Sequence, residues 1–321
     1  FCIIFSLIPV HSIFPKQVLI TQGIESHPGP GNIANICQLS AFLFGNVSHA
    51  GTHTDYITNL KAHSFFFAEP TLVGEGAATF SKCAMDRKWA KPIFSRLDPE
   101  LSKPTGGVGG MVRDPYRIFT MTPKSDKLAL LTCKDKGNGR IGMYGCDIGQ
   151  NCHAVVFCIY GWTGAALKGN EHLAARTDYM FECISNELLL NKFTNVIICG
   201  DINCTVCKLP HLLRIISDLH FIDVGAVAER WGGSNCESTC ETHNGTPTRN
   251  DYIFLSPALI PRVSTFKVIW DRKKFQTHAF LEIQFKMNQS FQRKVNQTCP
   301  SMSMAIKEAY LTLFSRYYFA Q

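Results

Sequence analysis

Apolar positions along the chain gather into short runs separated by breakers. Ser64-Phe-Phe-Phe-Ala68 and His153-Ala-Val-Val-Phe-Cys-Ile-Tyr160 are continuous apolar runs of strand length, the pattern of buried strands. Thr194-Asn-Val-Ile-Ile-Cys-Gly200 and Asp251-Tyr-Ile-Phe-Leu255 predict two more, the second closed by Ser256-Pro257. Ala279 to Phe285 alternates apolar and polar and predicts a half-exposed strand. Asn32 to Leu39 predicts a short strand leaving into a turn. Helical spacing appears from Glu171 to Leu190, where Leu173, Thr177, Met180, Phe181, Ile184 and Leu188 fall near i, i+3, i+4 steps. Shorter helices are expected over Leu209–Leu219, with Pro210 in the first turn, and over Ser303–Phe314. Thr105-Gly-Gly-Val-Gly-Gly110 lacks the ending of a phosphate-binding loop. It reads instead as the start of a strand or a tight turn with a close backbone approach. Some connections are too short for helical crossovers, so the sheets should be mixed or antiparallel.

Composition narrows the class. With 321 residues, 45% hydrophobic and 18% charged, disorder, coiled coil and collagen-like repeats are excluded. The net charge of +7 is local: from Arg262 to Gln321 there are 10 basic and 3 acidic residues, and the remainder is neutral. Such a basic end suits a polyanion such as nucleic acid, or is a solvated, helix-rich face. The 14 cysteines lie within apolar runs such as Val196–Cys199, as buried free thiols of a reducing, intracellular compartment would. The opening FCIIFSLIPV has no basic residue before it and stops at Pro9. It therefore matches neither a secretion signal nor a membrane span of roughly 20 apolar residues. The chain is expected to be cut from a longer translation product.

Five local patterns could carry chemistry. Ile198-Cys-Gly-Asp201-Ile-Asn203 ends a buried strand with a carboxylate and a carboxamide two residues apart. In an extended segment both face one side, where they could hold a water or a phosphate oxygen; an Asx turn is the plainer alternative. Arg249-Asn-Asp251 sets a cation and a carboxylate at the start of a strand, and His278 opens another. Glu69 leaves a run too apolar to solvate it. Tyr160 ends the strand beginning near His153.

In this order, an Asn after the first strand, Glu69, Gly-Gly-Val-Gly, Tyr160, Gly-Asp-x-Asn, Arg-x-Asp-Tyr-Ile-Phe and a late His, the chain resembles the endonuclease/exonuclease/phosphatase superfamily over roughly Asn32 to Lys286. Within it the chain looks most like the endonuclease domain of a non-LTR retrotransposon polyprotein. Gln22 to Pro30 resembles a 2A-like ribosome-skipping peptide, and the basic stretch after Lys286 is where a connection to a reverse transcriptase would begin. The resemblance implies an α+β four-layer sandwich of two packed mixed β-sheets flanked by helices. It divides the chain into a leader at 1–31, the nuclease domain at 32–286 and a linker at 287–321. It implies Asn35 and Glu69 as holders of Mg2+ (or Mn2+), Asp201 as the group that activates water, and Asn203 and Tyr160 at the scissile phosphate. His278 would stabilise growing charge and Asp251 would fix its imidazole. Arg249, Arg272, Lys273, Lys274 and Trp162 would bind DNA. Other phosphodiesterases of the superfamily act on abasic DNA, RNA tails or inositol phosphates, and a decayed element would keep the fold with weakened activity.

The chain departs from the family pattern in three places. Thr277 stands where an Asp usually precedes the late His, which implies weaker metal binding. Asn250 replaces an apolar residue, and Gly23 and His27 depart from the skipping peptide. Cys204-x-x-Cys207 and Cys236-x-x-x-Cys240-x-x-His243 have zinc-like spacing, but Cys204 would crowd Asn203.

Overall fold

The computed structural model describes residues 39–100, 106–149, 152–241 and 245–286. Asn35, the leader, the expected helix at Ser303–Phe314 and all but the last residue of the expected Asn32–Leu39 strand lie outside them. The described first strand is β1, Leu39–Asn46.

There follow α1 (Thr54–Thr58), β2 (Ser64–Ala68), α2 (Gly74–Asp86), β3 (Ile93–Phe94), β4 (Val108–Val112) and β5 (Ile118–Thr120). Next come α3 (Asp126–Thr132), β6 (Ile141–Gly149), β7 (Cys152–Tyr160), α4 (Glu171–Leu190), β8 (Val196–Asp201) and α5 (Pro210–Asp218). The remainder is β9 (Ile222–Asp223), β10 (Cys240–Glu241), β11 (Pro247–Thr248), β12 (Asp251–Leu255), β13 (Val263–Ile269) and β14 (Phe280–Lys286), with short 3-10 turns between. β2, α4 and β12 have the bounds the apolar pattern predicts. That pattern does not predict β6, β13 and α2, because small or polar residues dilute their periodicity.

The strands form two six-stranded sheets, β13-β14-β1-β2-β4-β3 and β5-β6-β7-β8-β12-β9. Each is mixed, with one parallel pair: β1 with β2, and β7 with β8. Between the sheets lies a core that includes Phe42, Phe44, Phe66, Val156, Ile197, Ile253 and Phe285. A second core covers the outer face of β7 and β8 with Phe181 and Ile184 of α4 and Leu212 and Ile215 of α5. A third packs Phe65, Phe67 and Phe280 of the first sheet against Ile57 of α1 and Phe80 of α2. The sequence forms four layers because its central strands are apolar on both faces, so both must be covered. Truncating a fully buried ring such as Phe66 to Ala should cost about 3–5 kcal/mol.

The glycine stretch is explained by those rings. Gly110 and Gly109 of β4 sit opposite Phe66 and Phe67 of β2. A Cβ on Gly110 would lie 2.6 Å from the Phe66 ring, and one on Gly109 would lie 2.5 Å from the Phe67 ring. The motif is thus a strand made to receive its neighbour's aromatics. No helix among the described residues is long and apolar enough to cross a membrane.

Candidate active site

The two parallel pairs end side by side. β1 ends at Asn46 and β2 leads directly to Glu69, while β7 ends at Tyr160 and β8 at Asp201. Parallel pairing aligns these ends within each sheet: Asn46 sits opposite Ala68, and Tyr160 opposite Asp201. Across the sheets, Asn46 Nδ2 donates to Asp201 Oδ2 at 2.8 Å and to Glu69 Oε2 at 3.1 Å. Its Oδ1 accepts from Ser48 N at 3.0 Å and Ser48 Oγ at 2.9 Å. A backbone N–H can serve only an oxygen, which fixes the orientation of the amide. Ser48 Oγ also lies 2.9 Å from Glu69 Oε2. One carboxamide therefore bridges two carboxylates that would otherwise repel.

Asp201 Oδ1 accepts from Asn203 N at 3.1 Å, and Asn203 has φ 49. The segment is thus the Asx turn, the plainer alternative, with Asn203 in the left-handed region, and not the extended pair. The turn still serves the site, because it directs Asp201 Oδ2 to Asn46 and swings the Asn203 carboxamide over to Gly161 O at 3.3 Å.

Antiparallel pairing brings in the third group. Asp251 of β12 lies opposite Asp201, and its N–H bonds Thr239 Oγ1 at 2.9 Å. Asp251 Oδ2 lies 3.0 Å from His278 Nδ1, and His278 Nε2 lies 3.9 Å from Asp201 Oδ2. A bridge between Cys240 and His278 sets the imidazole just before β14, with Cys240 Sγ 3.7 Å from Nε2.

Charge is concentrated in little solvent. Burial, and then the neighbouring Asp251, push the Asp201 carboxyl up to about 7, against the pull of His278, Asn46 and Asn203 N–H. Burial works to lower the His278 pKa, but Asp251, Cys240 and Asp201 outweigh it and leave the imidazole well above its ordinary value. Burial, Glu69 and Asp201 raise the Tyr160 hydroxyl, which lies 3.2 Å from Thr163 Oγ1.

Of the residues singled out in the sequence, Glu69, Tyr160, Asp201, Asn203, Asp251 and His278 come together here. Asn35 falls outside the described residues, and Asn46 is the asparagine beside Glu69. Asn46 does carry a sequence signal: it ends the apolar run Leu39–Gly45, which leads straight into the site. Ser48 carries none. Arg249 is already engaged, since both its terminal nitrogens bond Asp223 and it lies over the Tyr252 ring. Trp162 is 8% exposed and has both Arg140 and Arg176 over its ring, so it is packed rather than open for stacking on a base. Arg272 pairs with Glu241, while Lys273 and Lys274 are exposed. Of the zinc-like spacings, Cys207 and Cys236 are exposed while Cys204 and Cys240 are buried, and His243 lies outside the described residues.

A divalent ion suits the donors present. Ligand atoms of Asp201, Asp251 and His278 lie within 4.8 Å of one another, though the raised imidazole must lose its proton before it can ligate, and the buried Asp251 Oδ1 has no hydrogen-bond partner. Glu69 and Asn46 adjoin this group through Asp201. Carboxylate and carboxamide oxygens are the ligands that hard dications prefer. Two clefts, of about 240 and 460 Å3, lie elsewhere and contain none of these groups. Convergence of strand ends marks the site.

No protein-family model and no curated protein matches the sequence. Solved structures do. The 3' phosphatase NExo from Neisseria, bound to a product DNA hairpin, aligns with TM-score 0.58 at 14% identity over 77% of this chain and 100% of that one. The AP endonuclease LMAP from Leishmania major aligns with TM-score 0.58 at 12% identity, covering 78% and 88%. The endonuclease domain of TRAS1, a telomere-specific non-LTR retrotransposon, aligns with TM-score 0.52 at 12% identity, covering 78% and 99%. With two mixed six-stranded sheets, helices outside and a shared alignment over three quarters of its length, this chain has the DNase I-like fold.

Proposed function

We propose that the chain is a metal-dependent phosphodiesterase that nicks DNA, serving as the endonuclease of a non-LTR retrotransposon. The observation that carries this reading is the meeting of Asn46, Glu69, Tyr160, Asp201, Asn203 and the Asp251–His278 pair at the ends of strands from both sheets. The TRAS1 domain supports the retroelement assignment, and AP endonucleases and a 3' phosphatase support phosphate-ester chemistry on DNA.

Glu69, steadied by Asn46, would hold Mg2+ or Mn2+, an ion that would polarise the phosphoryl oxygens and neutralise charge when bound. Asp201, with a carboxyl pushed up to about 7, takes a proton from the attacking water near neutral pH. Asn203 and the Tyr160 hydroxyl donate to the phosphate. His278 keeps its proton through Asp251 and offers Nε2–H to the oxygen on which charge grows. Lys273 and Lys274 hold the flanking backbone. Thr277, whose carbonyl accepts from Glu241 N at 2.9 Å, adds no carboxylate beside His278, so activity would be weak and demand more metal. The protein would work inside the cell, in cytoplasm or nucleus, joined to a downstream reverse transcriptase.

Nicking of supercoiled plasmid in Mg2+, against an EDTA control, tests the reading. Metal-dependent conversion to open circles is expected. An inert protein that still binds DNA would favour a decayed element that keeps the fold.

A further inference from the structure

One buried charge lies beside the site without belonging to it. Arg140, immediately before β6, has a side chain only 4% exposed, and that of its partner Asp98 is 2% exposed. Burying a cation is expensive, and an apolar side chain of similar volume fills such a place at less cost. The guanidinium must therefore supply something directional. Its Nε donates to Asp98 Oδ2 at 2.5 Å, and Nη1 donates to Gly161 O at 2.9 Å and Tyr160 O at 3.4 Å. Its Cζ lies 4.9 Å from the centroid of the Tyr160 ring and 4.7 Å from that of the Trp162 ring. In return Tyr160 N donates to Arg140 O at 2.7 Å.

Gly161 is the junction. Its carbonyl also accepts from Asn203 Nδ2, and its N–H donates to Asp201 O at 2.7 Å. A Cβ there would lie 2.2 Å from Ile202 O, so only glycine lets the two turns meet. Arg176 also lies over the Trp162 indole, 4.4 Å from its centroid, and pairs with Glu100. Glu100 N in turn donates to Asp98 Oδ1 at 2.9 Å. The chain of contacts from Asp98 through Arg140, Trp162 and Arg176 to Glu100 thus closes on itself.

We propose that Arg140 is a positioning residue which, clamped by Asp98 and Trp162, fixes the Tyr160 ring and the Gly161 carbonyl that orients Asn203. A lysine keeps the charge but loses the planar fork that reaches carboxylate and carbonyl together while stacking on two rings. The assignment rests on the phosphodiesterase reading for its kinetic consequence, but not for its structural one.

The test pairs Arg140→Met with Asp98→Leu, which removes both charges and leaves no orphan carboxylate. Two readouts are taken on the full chain: plasmid nicking, and the tyrosine ζ-carbon NMR signal of Tyr160, assigned by its loss in Tyr160→Phe. The charge-free pair should melt near the parent temperature. Its kcat should fall about 10²-fold, the cost of a misplaced group, with KM within about threefold. The Tyr160 signal should shift, and Tyr160→Phe should cost less in this background than in the parent. An unshifted signal, or an equal cost of Tyr160→Phe in both backgrounds, overturns the proposal. Should the charge-free pair not fold, Arg140→Lys takes its place, with the same two readouts and the same results expected or overturning. If the parent itself does not nick, the phosphodiesterase reading fails alone, and the NMR signal decides the role of Arg140.

Discussion

The two sheets deliver functional groups by the same device and support them differently. In each, the single parallel pair points its ends at the site: Asn46 and Glu69 from one sheet, Tyr160 and Asp201 from the other. Glu69 stands just past its strand, half-buried, with φ 55 and its carboxylate met by Asn46 and Ser48. Asp201 is the last residue of its strand, 1% exposed, and paired to Asp251 by the ladder. The first sheet thus offers an accessible charge that a ligand can compensate. The second offers a desolvated charge that the protein itself must keep in check, with an amide, an Asx turn and an imidazole. Accessibility suits binding, and desolvation suits proton transfer.

The sharpest way to break this contrast is Asp201→Asn. It should lower nicking by about 10²–10⁴-fold, the range for a removed acid–base group, while DNA binding persists. Melting at pH 8 should not fall, because a buried charge is lost together with its repulsion from Asp251. Glu69→Gln should instead raise the metal needed for half-maximal rate, by about 10- to 100-fold, and leave the rate at saturating metal closer to the parent. If both variants fail in the same way, the division of labour between the sheets is wrong.

The pH dependence carries the same contrast. The folded pKa of Asp201 lies above its ordinary value of 3.8, at about 7. Its contribution to stability is therefore fully present below pH 3.8 and lost as pH rises toward 7. The raised His278 adds a loss in the same direction, fully present below pH 6.5 and lost as pH passes its folded value. In EDTA, the parent should lose stability relative to Asp201→Asn between about pH 4 and 7, as read by paired thermal melts. A gap that stays constant would place Asp201 in solvent.

Smaller effects sharpen the edges. Thr277→Asp should lower the metal requirement severalfold by adding a carboxylate beside His278. Replacing Lys273 and Lys274 with Ala should weaken binding to every sequence alike and flatten the salt slope by up to about two phosphate contacts. Arg272 should add little, since Glu241 already holds it.

Much of this is legible in the sequence, and for physical reasons. Long apolar runs reveal strands, and polar residues at their ends reveal where a site can form; Glu69, Tyr160, Asp201 and Asp251 stand out that way. Asn46 is harder to pick than Asn35, because the apolar residues after Asn32 suggest an earlier first strand, and register is what a lone apolar run specifies least. Trp162 and Arg249 resemble open surface in the sequence because aromatic and cationic residues near a site look alike whether free or paired. Their partners, Arg140 with Arg176 and Asp223, come from distant sequence. The turn at Asn203 is the reverse case: the plainer alternative is what forms, and it still leaves Asp201 and Asn203 beside the other candidate residues.

The ladder between β8 and β12 has a consequence for change over time. Asp201 and Asp251 face each other at its end, held by a register running through Leu255 and Ile197. A slip of one residue would turn either carboxylate to the opposite face, so the ladder permits no intermediate. The segment between the two strands also holds β12, through β9 and Thr239, but its exposed turns do not. Its turns and surface positions can lengthen, shorten or be replaced while the acidic pair stays where it is. A lineage could therefore remodel what surrounds this acidic pair without disturbing the pair itself.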